Sequence, residues 1–159
     1  MIPVVSFAAW SGTGKTTYLE KLVAELKRRG LRVAVLKHDA HEFEVDKPGK
    51  DSWRFTRAGA DVTIVASATH AAILENRPVS AEELVQRVTG VDLILTEGYK
   101  HGPWPKVGVC RAATGKGLPL PAEECLALVT DVPLSAAVPQ FPLDDPAPMA
   151  EFLISRVLK

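Results

Sequence analysis

A glycine-rich stretch near the N-terminus, AWSGTGKTT at residues 9–17, joins an apolar run to an amphipathic one. The run before it, residues 2–9, is short and rich in β-branched residues, which is typical of a strand buried on both faces of a sheet. After Lys15 the apolar residues recur at helical spacing, at Leu19, Leu22, Val23 and Leu26. A basic last turn followed by Gly30 is typical of a helix C-terminus. The stretch therefore predicts a buried strand that enters a helix through a glycine-rich turn.

Segments typical of strands and helices alternate along the rest of the chain. Strands are predicted at 31–39, 92–98, 106–110 and 125–130. Two further runs, 62–67 and 70–75, are close enough to pair as a hairpin, which we expect at an edge of the sheet. Capping residues predict two helix starts, at Ser80 with Glu83 and at Asp145 with Pro146. This alternation favours a single α/β domain over residues 1–159, with a mostly parallel sheet and helices on both faces.

The charge balance excludes a global footprint for nucleic acid or an anionic membrane, because Lys plus Arg and Asp plus Glu each number 19. The charges are unevenly distributed along the chain. Residues 98–117 contain basic side chains and no acid, whereas acids outnumber basic residues in 119–159. This contrast favours a phosphate-bearing ligand or an acidic partner surface. No apolar stretch approaches the roughly 20 residues of a membrane span. The N-terminus resembles a buried strand more than a signal peptide.

The two cysteines, Cys110 and Cys125, lie in apolar runs and form no CxxC motif. Buried thiols in this context are typical of a protein in a reducing compartment. We therefore expect two reduced core thiols and a cytoplasmic location.

Residues 9–16 fit the P-loop pattern, with Ala9 in place of the first glycine. Gly12 and Gly14 allow backbone N–H groups to point at a phosphate, and the helix N-terminus adds a positive dipole end. The lysine reaches the β- and γ-phosphate oxygens, and the following threonine hydroxyl ligates Mg²⁺. The predicted nucleotide-binding residues of the loop are Ser11, Gly12, Thr13, Gly14, Lys15, Thr16 and Thr17.

A P-loop also needs an acid at the end of a neighbouring strand to hold the magnesium ion. The run DLILTEG offers Asp92 at its start and Glu97 at its end. Glu97 takes the metal role because ligands bind beyond the carboxyl ends of parallel strands. Asp39, after the second strand, is a further candidate for the metal or for orienting the attacking water, although it could equally cap a turn. The predicted metal set is Thr16, Glu97 and Asp39, and the predicted catalytic pair is Lys15 and Asp39.

The polar segment after the second strand is dense in imidazoles and carboxylates, at His38, Asp39, His41, Glu42, Glu44 and Asp46. Such a set could bind a transition metal, but the same density is normal on a solvated loop, and no thiolate is present. Arg54 and Arg57 lie three residues apart, so a helix would place both on one face. They could pair with a phosphate or with the acids of their own helix.

Three separated motifs, SGTGKTT, KHDAHEFEVDKPGKDSWRFTRAGA and TEGYK, together resemble the molybdopterin-guanine dinucleotide biosynthesis protein B family. The resemblance covers about the first 110 residues and implies a three-layer P-loop NTPase-like fold, bound GTP and Mg²⁺, a homodimer and a cytoplasmic role in molybdenum cofactor synthesis. It also implies a partner guanylyltransferase that joins GMP to molybdopterin. In this reading Lys100, which follows the acid of TEGYK, is expected to face a second phosphate-bearing ligand. Lys106 belongs to the same basic stretch and is expected to face the pterin or the partner.

The sequence indicates the base preference less clearly than it indicates the phosphate site. Guanine is recognised by a carboxylate, and this chain lacks the N/T-K-x-D motif that is the strongest signature of such a carboxylate. Asp131 follows the strand CLALVT where such an acid would fall, although an ordinary turn is equally consistent. We expect a GTP-binding accessory protein with slow hydrolysis at most, since no water-orienting glutamine or cis arginine is evident. A small-metabolite kinase and a GTP-dependent metal-delivery chaperone remain the alternatives.

Overall fold

The computed structural model describes residues 1–39 and 43–158. The chain divides into two compact units. The first, which we call the sheet unit, comprises residues 1–38 and 87–159, and the second, the hairpin unit, comprises residues 39–86. One domain over residues 1–159 stays a prediction.

The described residues form the following helices and strands: β1 (Val4–Ala8), α1 (Lys15–Arg28), β2 (Val33–Lys37), α2 (Asp51–Arg57), β3 (Val62–Ala66), β4 (Ala71–Glu75), α3 (Ala81–Arg87), β5 (Leu93–Glu97), β6 (Lys106–Cys110), β7 (Cys125–Thr130), β8 (Gln140–Pro142) and α4 (Ala147–Arg156). The strand β8 is an addition to the predicted set. It is only three residues long and lies in a proline-rich segment, so it carries no periodic signal.

Within the sheet unit, the described strands form one six-stranded sheet in the order β2-β5-β1-β6-β7-β8, and each neighbouring pair is parallel. The predicted α/β fold with a mostly parallel sheet is confirmed. In the register of β1 with β5, Phe7 lies opposite Glu97, and in that of β2 with β5, Lys37 lies opposite the same glutamate. The carboxyl ends of these three strands therefore meet at one edge of the sheet, directly before the glycine-rich loop.

The core of the sheet unit lies between one face of the sheet and two helices, α1 and α4. Val5 and Phe7 of β1 are fully buried there against Leu22 of α1 and Leu153 of α4. The α1 helix ends at Arg28 with Arg29 as its C-cap, and Gly30, which the sequence predicted as the cap, follows with a left-handed φ of 86°. On the opposite face of the sheet, buried hydroxyls replace part of the apolar packing. The hydroxyl of Thr96 donates to Ser6 Oγ at 2.7 Å, which ties β5 to β1.

The hairpin unit contains the predicted hairpin, in which Ile64 of β3 lies opposite Ile73 of β4. The two strands form a sheet of their own rather than an edge of the six-stranded sheet. The predicted helix start at Ser80 is confirmed, since Glu83 N–H donates to Ser80 Oγ at 3.1 Å at the start of α3.

Both cysteines are buried and unpaired, as predicted. Among the described helices, none combines the length and the apolar character that a membrane crossing requires.

Candidate functional site

The glycine-rich loop leaves β1 and enters α1 with two left-handed residues. Gly12 has φ 80° and Gly14 has φ 89°, a conformation that side chains with a Cβ rarely adopt. Thr13 is buried, and its hydroxyl donates to the Trp10 carbonyl at 2.6 Å, which closes the loop on itself. The Gly14 carbonyl accepts the Tyr18 N–H at 2.9 Å and so begins the helix. Hydrogen bonds among the loop's own residues therefore hold its backbone in this shape.

The predicted magnesium ligands Thr16 and Glu97 come together although 81 residues separate them in sequence. The Thr16 hydroxyl donates to Glu97 Oε1 at 2.6 Å. The parallel register of β1 and β5 causes this, because it ends both strands at the same edge. A hydroxyl and a carboxylate are oxygen ligands of the type that Mg²⁺ takes.

Lys15 lies in the same charged cluster. Burial lowers the pKa of its ammonium, the charge of Glu97 raises it, and the charge of Lys37 lowers it again. Two lysines beside one carboxylate leave an excess of positive charge at the N-terminus of α1. An anion at this point would relieve that excess.

Two basic residues that the sequence interpretation did not assign to the site, Arg111 and Lys116, hold the loop from a different segment. The Arg111 Nε–H donates to the Thr13 carbonyl at 3.1 Å, and Lys116 Nζ donates to the Ser11 carbonyl at 3.0 Å. A Cβ built on Gly14 would lie 3.1 Å from the Arg111 guanidinium, so a larger residue there would push the arginine away. The signal in the sequence was the acid-free stretch 98–117, which contains both.

The other basic residues of that stretch have partners of their own. Lys100 Nζ lies 4.8 Å from the centroid of the Trp10 ring, a cation–π contact. Lys106 Nζ donates to the carbonyls of Gly102 at 2.8 Å and Trp104 at 3.1 Å, so two of its three N–H groups serve the turn.

The segment after Glu97 has an unusual backbone. Tyr99 has φ 51°, the left-handed region that residues other than glycine seldom occupy. Its ring lies 4.9 Å from that of His38 and 5.8 Å from that of Trp104, centroid to centroid. The TEGYK motif therefore builds an aromatic cluster beside the loop edge of the sheet.

A cavity of about 280 Å³ adjoins the loop, and its lining includes Gly14, Thr17 and Arg111 together with the residues that follow β7 and β8. Asp131, the predicted base reader, lines it too, and its Oδ1 accepts the Ala112 N–H at 2.8 Å. The loop and the ends of β7 and β8 thus form one continuous surface.

The other predicted residues belong to the hairpin unit. The Arg54 guanidinium lies 3.8 Å from Asp51, and that of Arg57 lies 5.5 Å from the Trp53 ring centroid. Asp39 lies in the hairpin unit as well, so its metal and catalytic roles stay predictions. His41 and Glu42, part of the alternative metal site, lie outside the described residues. Across residues 1–39 and 43–158, no group of three or more possible ligands from His, Cys, Asp and Glu is placed to hold a metal ion.

Taken together, the parallel sheet, the strand-to-helix loop with its left-handed glycines and the paired threonine and glutamate define a P-loop NTPase-like α/β protein. The family model described as "MobB: Molybdopterin guanine dinucleotide synthesis protein B" matches residues 4–131. This chain therefore belongs to the MobB family.

Relatives and solved structures agree with that assignment. The molybdopterin-guanine dinucleotide biosynthesis adapter protein of Escherichia coli is 39% identical, over 100% of this chain and 95% of the relative. The adapter protein of Haemophilus influenzae is 44% identical, over 84% of this chain and 77% of its own. A crystal structure of Bacillus subtilis MobB superposes with a TM-score of 0.79 at 28% identity, covering 99% of both chains.

Proposed function

We propose that this protein is a GTP-binding adapter in molybdopterin-guanine dinucleotide biosynthesis. Its role would be to assist a partner guanylyltransferase in joining GMP to molybdopterin. Membership of a family whose relatives are named adapter proteins of this synthesis is the observation that carries the proposal. The shaped loop of residues 9–17 supports the nucleotide-binding half of it.

The nucleotide phosphates would lie on the loop, with Ser11, Gly12, Thr13, Gly14, Lys15, Thr16 and Thr17 as their binding residues. Thr16 would ligate Mg²⁺, and Glu97 would hold its water ligands, since the two side chains already share a hydrogen bond. The ion would neutralise phosphate charge. Lys15 would do the same at the γ-phosphate, where the excess of positive charge supports an anion. Asp39 stays the candidate for orienting water or completing the metal site.

We expect hydrolysis of GTP to be slow. Fast GTPases place a glutamine on the attacking water and an arginine on the transferring phosphate, and the arginine alone raises the rate by about 10³–10⁵. Arg111 lies near the loop, but its Nε–H donates to the carbonyl of Thr13. We therefore assign it to positioning the loop and not to stabilising the transferring phosphate.

A homodimer is supported by the hairpin unit, which exposes an apolar cross-strand pair. Ile64 is 66% exposed and Ile73 is 65% exposed, and the neighbouring Val62 is 50% exposed. Exposed apolar patches of this kind mark interaction surfaces, and a second copy of the chain would bury them. The two unpaired thiols support a cytoplasmic location. We expect neither nucleic acid nor a membrane to be a partner.

Molybdopterin and the guanylyltransferase are the proposed partners for the basic residues outside the loop. Lys100 presents its ammonium over the Trp10 ring, and Arg57 presents its guanidinium over the Trp53 ring. Arg54 is the helix neighbour of Arg57 and is largely exposed. Lys106 stays in the predicted set, although the carbonyls of its own turn use two of its N–H groups.

Calorimetric titration with Mg²⁺-GTP and Mg²⁺-ATP tests the proposal on wild type and two variants. Lys15→Ala removes the loop lysine, and Lys27→Ala, in the last turn of α1, is the matched control. We expect wild type to favour GTP by about tenfold, or about 1.4 kcal/mol. Lys15→Ala should weaken GTP binding by about 100-fold or more, and Lys27→Ala should bind like wild type. Lys15→Ala should also lower the stimulation of GMP transfer by the partner enzyme, whereas Lys27→Ala should preserve it. A preference for ATP would contradict the proposal and favour a small-metabolite kinase.

A further inference from the structure

The cavity beside the loop lies at the place where a nucleotide held by its phosphates would continue. Gly14 and Thr17, two of the proposed phosphate-binding residues, form part of its lining. Its other wall consists of residues that follow β7 and β8, including Asp131 and Asp144. Ligands of open parallel sheets bind beyond the carboxyl ends of the strands, which is where these two acids lie. One molecule could therefore reach from the loop into the cavity.

The size of the cavity suits part of a ligand rather than all of it. Its volume is about 280 Å³, just under the roughly 300–1,000 Å³ of pockets that enclose whole small molecules. A nucleoside whose phosphates lie outside, on the loop, matches this volume.

Among the described residues, one buried hydroxyl in the lining lacks a hydrogen-bond partner. Tyr18 is 2% exposed and lines the cavity, and its Oη is buried with no hydrogen-bond partner among the described residues. Leaving a buried hydroxyl unpaired is unfavourable, so such a group is expected to serve a ligand or an ordered water. Burial, together with the charge of Asp145, raises the pKa of Tyr18 and keeps the hydroxyl protonated. The protonated hydroxyl therefore keeps a hydrogen that it donates to no described residue.

The two acids of the cavity differ in how far the chain already uses them. Asp131 Oδ1 accepts the Ala112 N–H at 2.8 Å and so holds the turn after β6. Asp144 is exposed and accepts no hydrogen bond from any described residue. Guanine presents an N1–H and an exocyclic amine side by side, and both oxygens of one carboxylate can accept from this pair. Adenine presents an acceptor nitrogen at the first position, which a carboxylate repels.

We propose that this cavity takes the guanosine end of the nucleotide and that Asp144, rather than Asp131, reads the base. In this arrangement the Tyr18 hydroxyl donates to the nucleoside, and Asp131 positions the turn that contains Arg111. The inference rests on the proposed function, since it requires the phosphates to lie on the loop.

The test changes the hydrogen-bonding groups of the side chain at position 144, which is proposed to recognise the base. In Asp144→Asn the amide oxygen still accepts from N1–H, but the amide nitrogen donates, which suits the carbonyl at position 2 of xanthine. Dissociation constants of Mg²⁺-GTP, Mg²⁺-XTP and Mg²⁺-ATP are measured on the full chain by calorimetry. We expect Asp144→Asn to lose about tenfold or more in GTP affinity and to gain XTP binding.

Two further carboxamide variants make the result specific. Asp145→Asn is the control for charge, because Asp145 Oδ1 accepts the Ala147 N–H at 2.9 Å and asparagine caps a helix equally well. It should keep the wild-type preference. If Asp131→Asn produces the exchange to xanthine instead, the assignment to Asp144 is overturned. If none of the three variants changes the preference while wild type still binds GTP, the cavity does not hold the base. Should wild type fail to bind Mg²⁺-GTP at all, the proposed function itself fails.

Tyr18→Phe tests the orphaned hydroxyl independently of the base. We expect GTP and ATP affinities to fall by the same factor, while the melting temperature of the free protein holds or rises because an unpaired buried group has been removed. A lower melting temperature with unchanged affinity would mean that the hydroxyl serves the fold, and would overturn this part of the inference.

Discussion

The sheet unit and the hairpin unit differ in what happens to their apolar side chains. In the sheet unit, Val5 and Phe7 are fully buried and pack with two helices around one core. In the hairpin unit, Ile64 and Ile73 face each other across two strands and remain 66% and 65% exposed. Isolated two-stranded hairpins are at best marginally stable in water.

This difference indicates that the two units have different tasks, although their segments alternate along one chain. The sheet unit buries its own core and holds the glycine-rich loop, Thr16 and Glu97 in a fixed arrangement. The hairpin unit presents apolar surface, which is the property of an interface. The proposed ligand site and the proposed surface for other chains therefore lie on different units.

The largest effect is expected from truncating a side chain in the core of the sheet unit. Leu22→Ala removes a fully buried side chain of α1, which should lower the free energy of unfolding by about 2–5 kcal/mol. Ile73→Ala, the matching truncation on the hairpin, should cost about 0.5 kcal/mol or less for a dilute, dissociated chain, because the side chain is already exposed. Urea denaturation measures both. Equal losses for the two variants would contradict the comparison.

A change in assembly is expected from a charge on the hairpin. Ile64→Lys places an ammonium in the exposed apolar pair, and burying it against a second copy would be unfavourable. The expected result is a monomer where wild type is a dimer, measured as mass by light scattering at several concentrations. Val132→Lys, an exposed apolar residue of the sheet unit, is the control and should keep the wild-type mass. A wild type that is monomeric throughout would exclude the proposed homodimer.

The smallest effect is expected at the other end of β5, where the carboxylate of Asp92 accepts hydrogen bonds from the side chain and backbone N–H of Arg32. These bonds lower the pKa of Asp92 to about 2. The folded state therefore binds this proton less tightly than the unfolded chain, whose aspartates titrate near pH 3.9. The pair stabilises the fold above about pH 4, and the stabilisation is lost as the pH falls toward 2.

Asp92→Asn removes that contribution, so the variant should be slightly less stable than wild type at neutral pH, and the difference should shrink as the pH falls from about 4 toward 2. Thermal melts from pH 7 to pH 2 measure the difference. Because the pair is exposed, about 1 M salt should reduce it. A difference as large at pH 2 as at pH 7 would show that the asparagine disturbs the strand by another route.

Much of the fold was predictable because its signals are short-range. Helical spacing placed α1, and the capping box placed the start of α3. The assignment of Glu97 rather than Asp92 to the loop edge followed from strand direction alone, and the hydrogen bond from Thr16 fits it. The three-residue strand β8 was missed, because three residues cannot display a period.

Long-range partners were not predictable from the pattern. Arg111 contacts the loop carbonyl of Thr13 across 98 residues. The acid-free stretch 98–117 predicted a basic surface there, but it did not indicate which residue the arginine contacts. The same holds for the Lys116 contact with Ser11. The hairpin was predicted in the right place, but pairing signals say which two runs pair and not which sheet they join.

The sequence by itself determined the parallel α/β class, the loop and the acid that meets it, since each depends on residue types at fixed local spacing. The tertiary structure decided the rest. It brought the ends of β7 and β8 beside the loop. Among the described residues it left the Tyr18 hydroxyl without a hydrogen-bond partner, and it engaged one oxygen of Asp131 but neither oxygen of Asp144. These are consequences of packing between distant segments, and such packing is decided by how the whole chain fills its core.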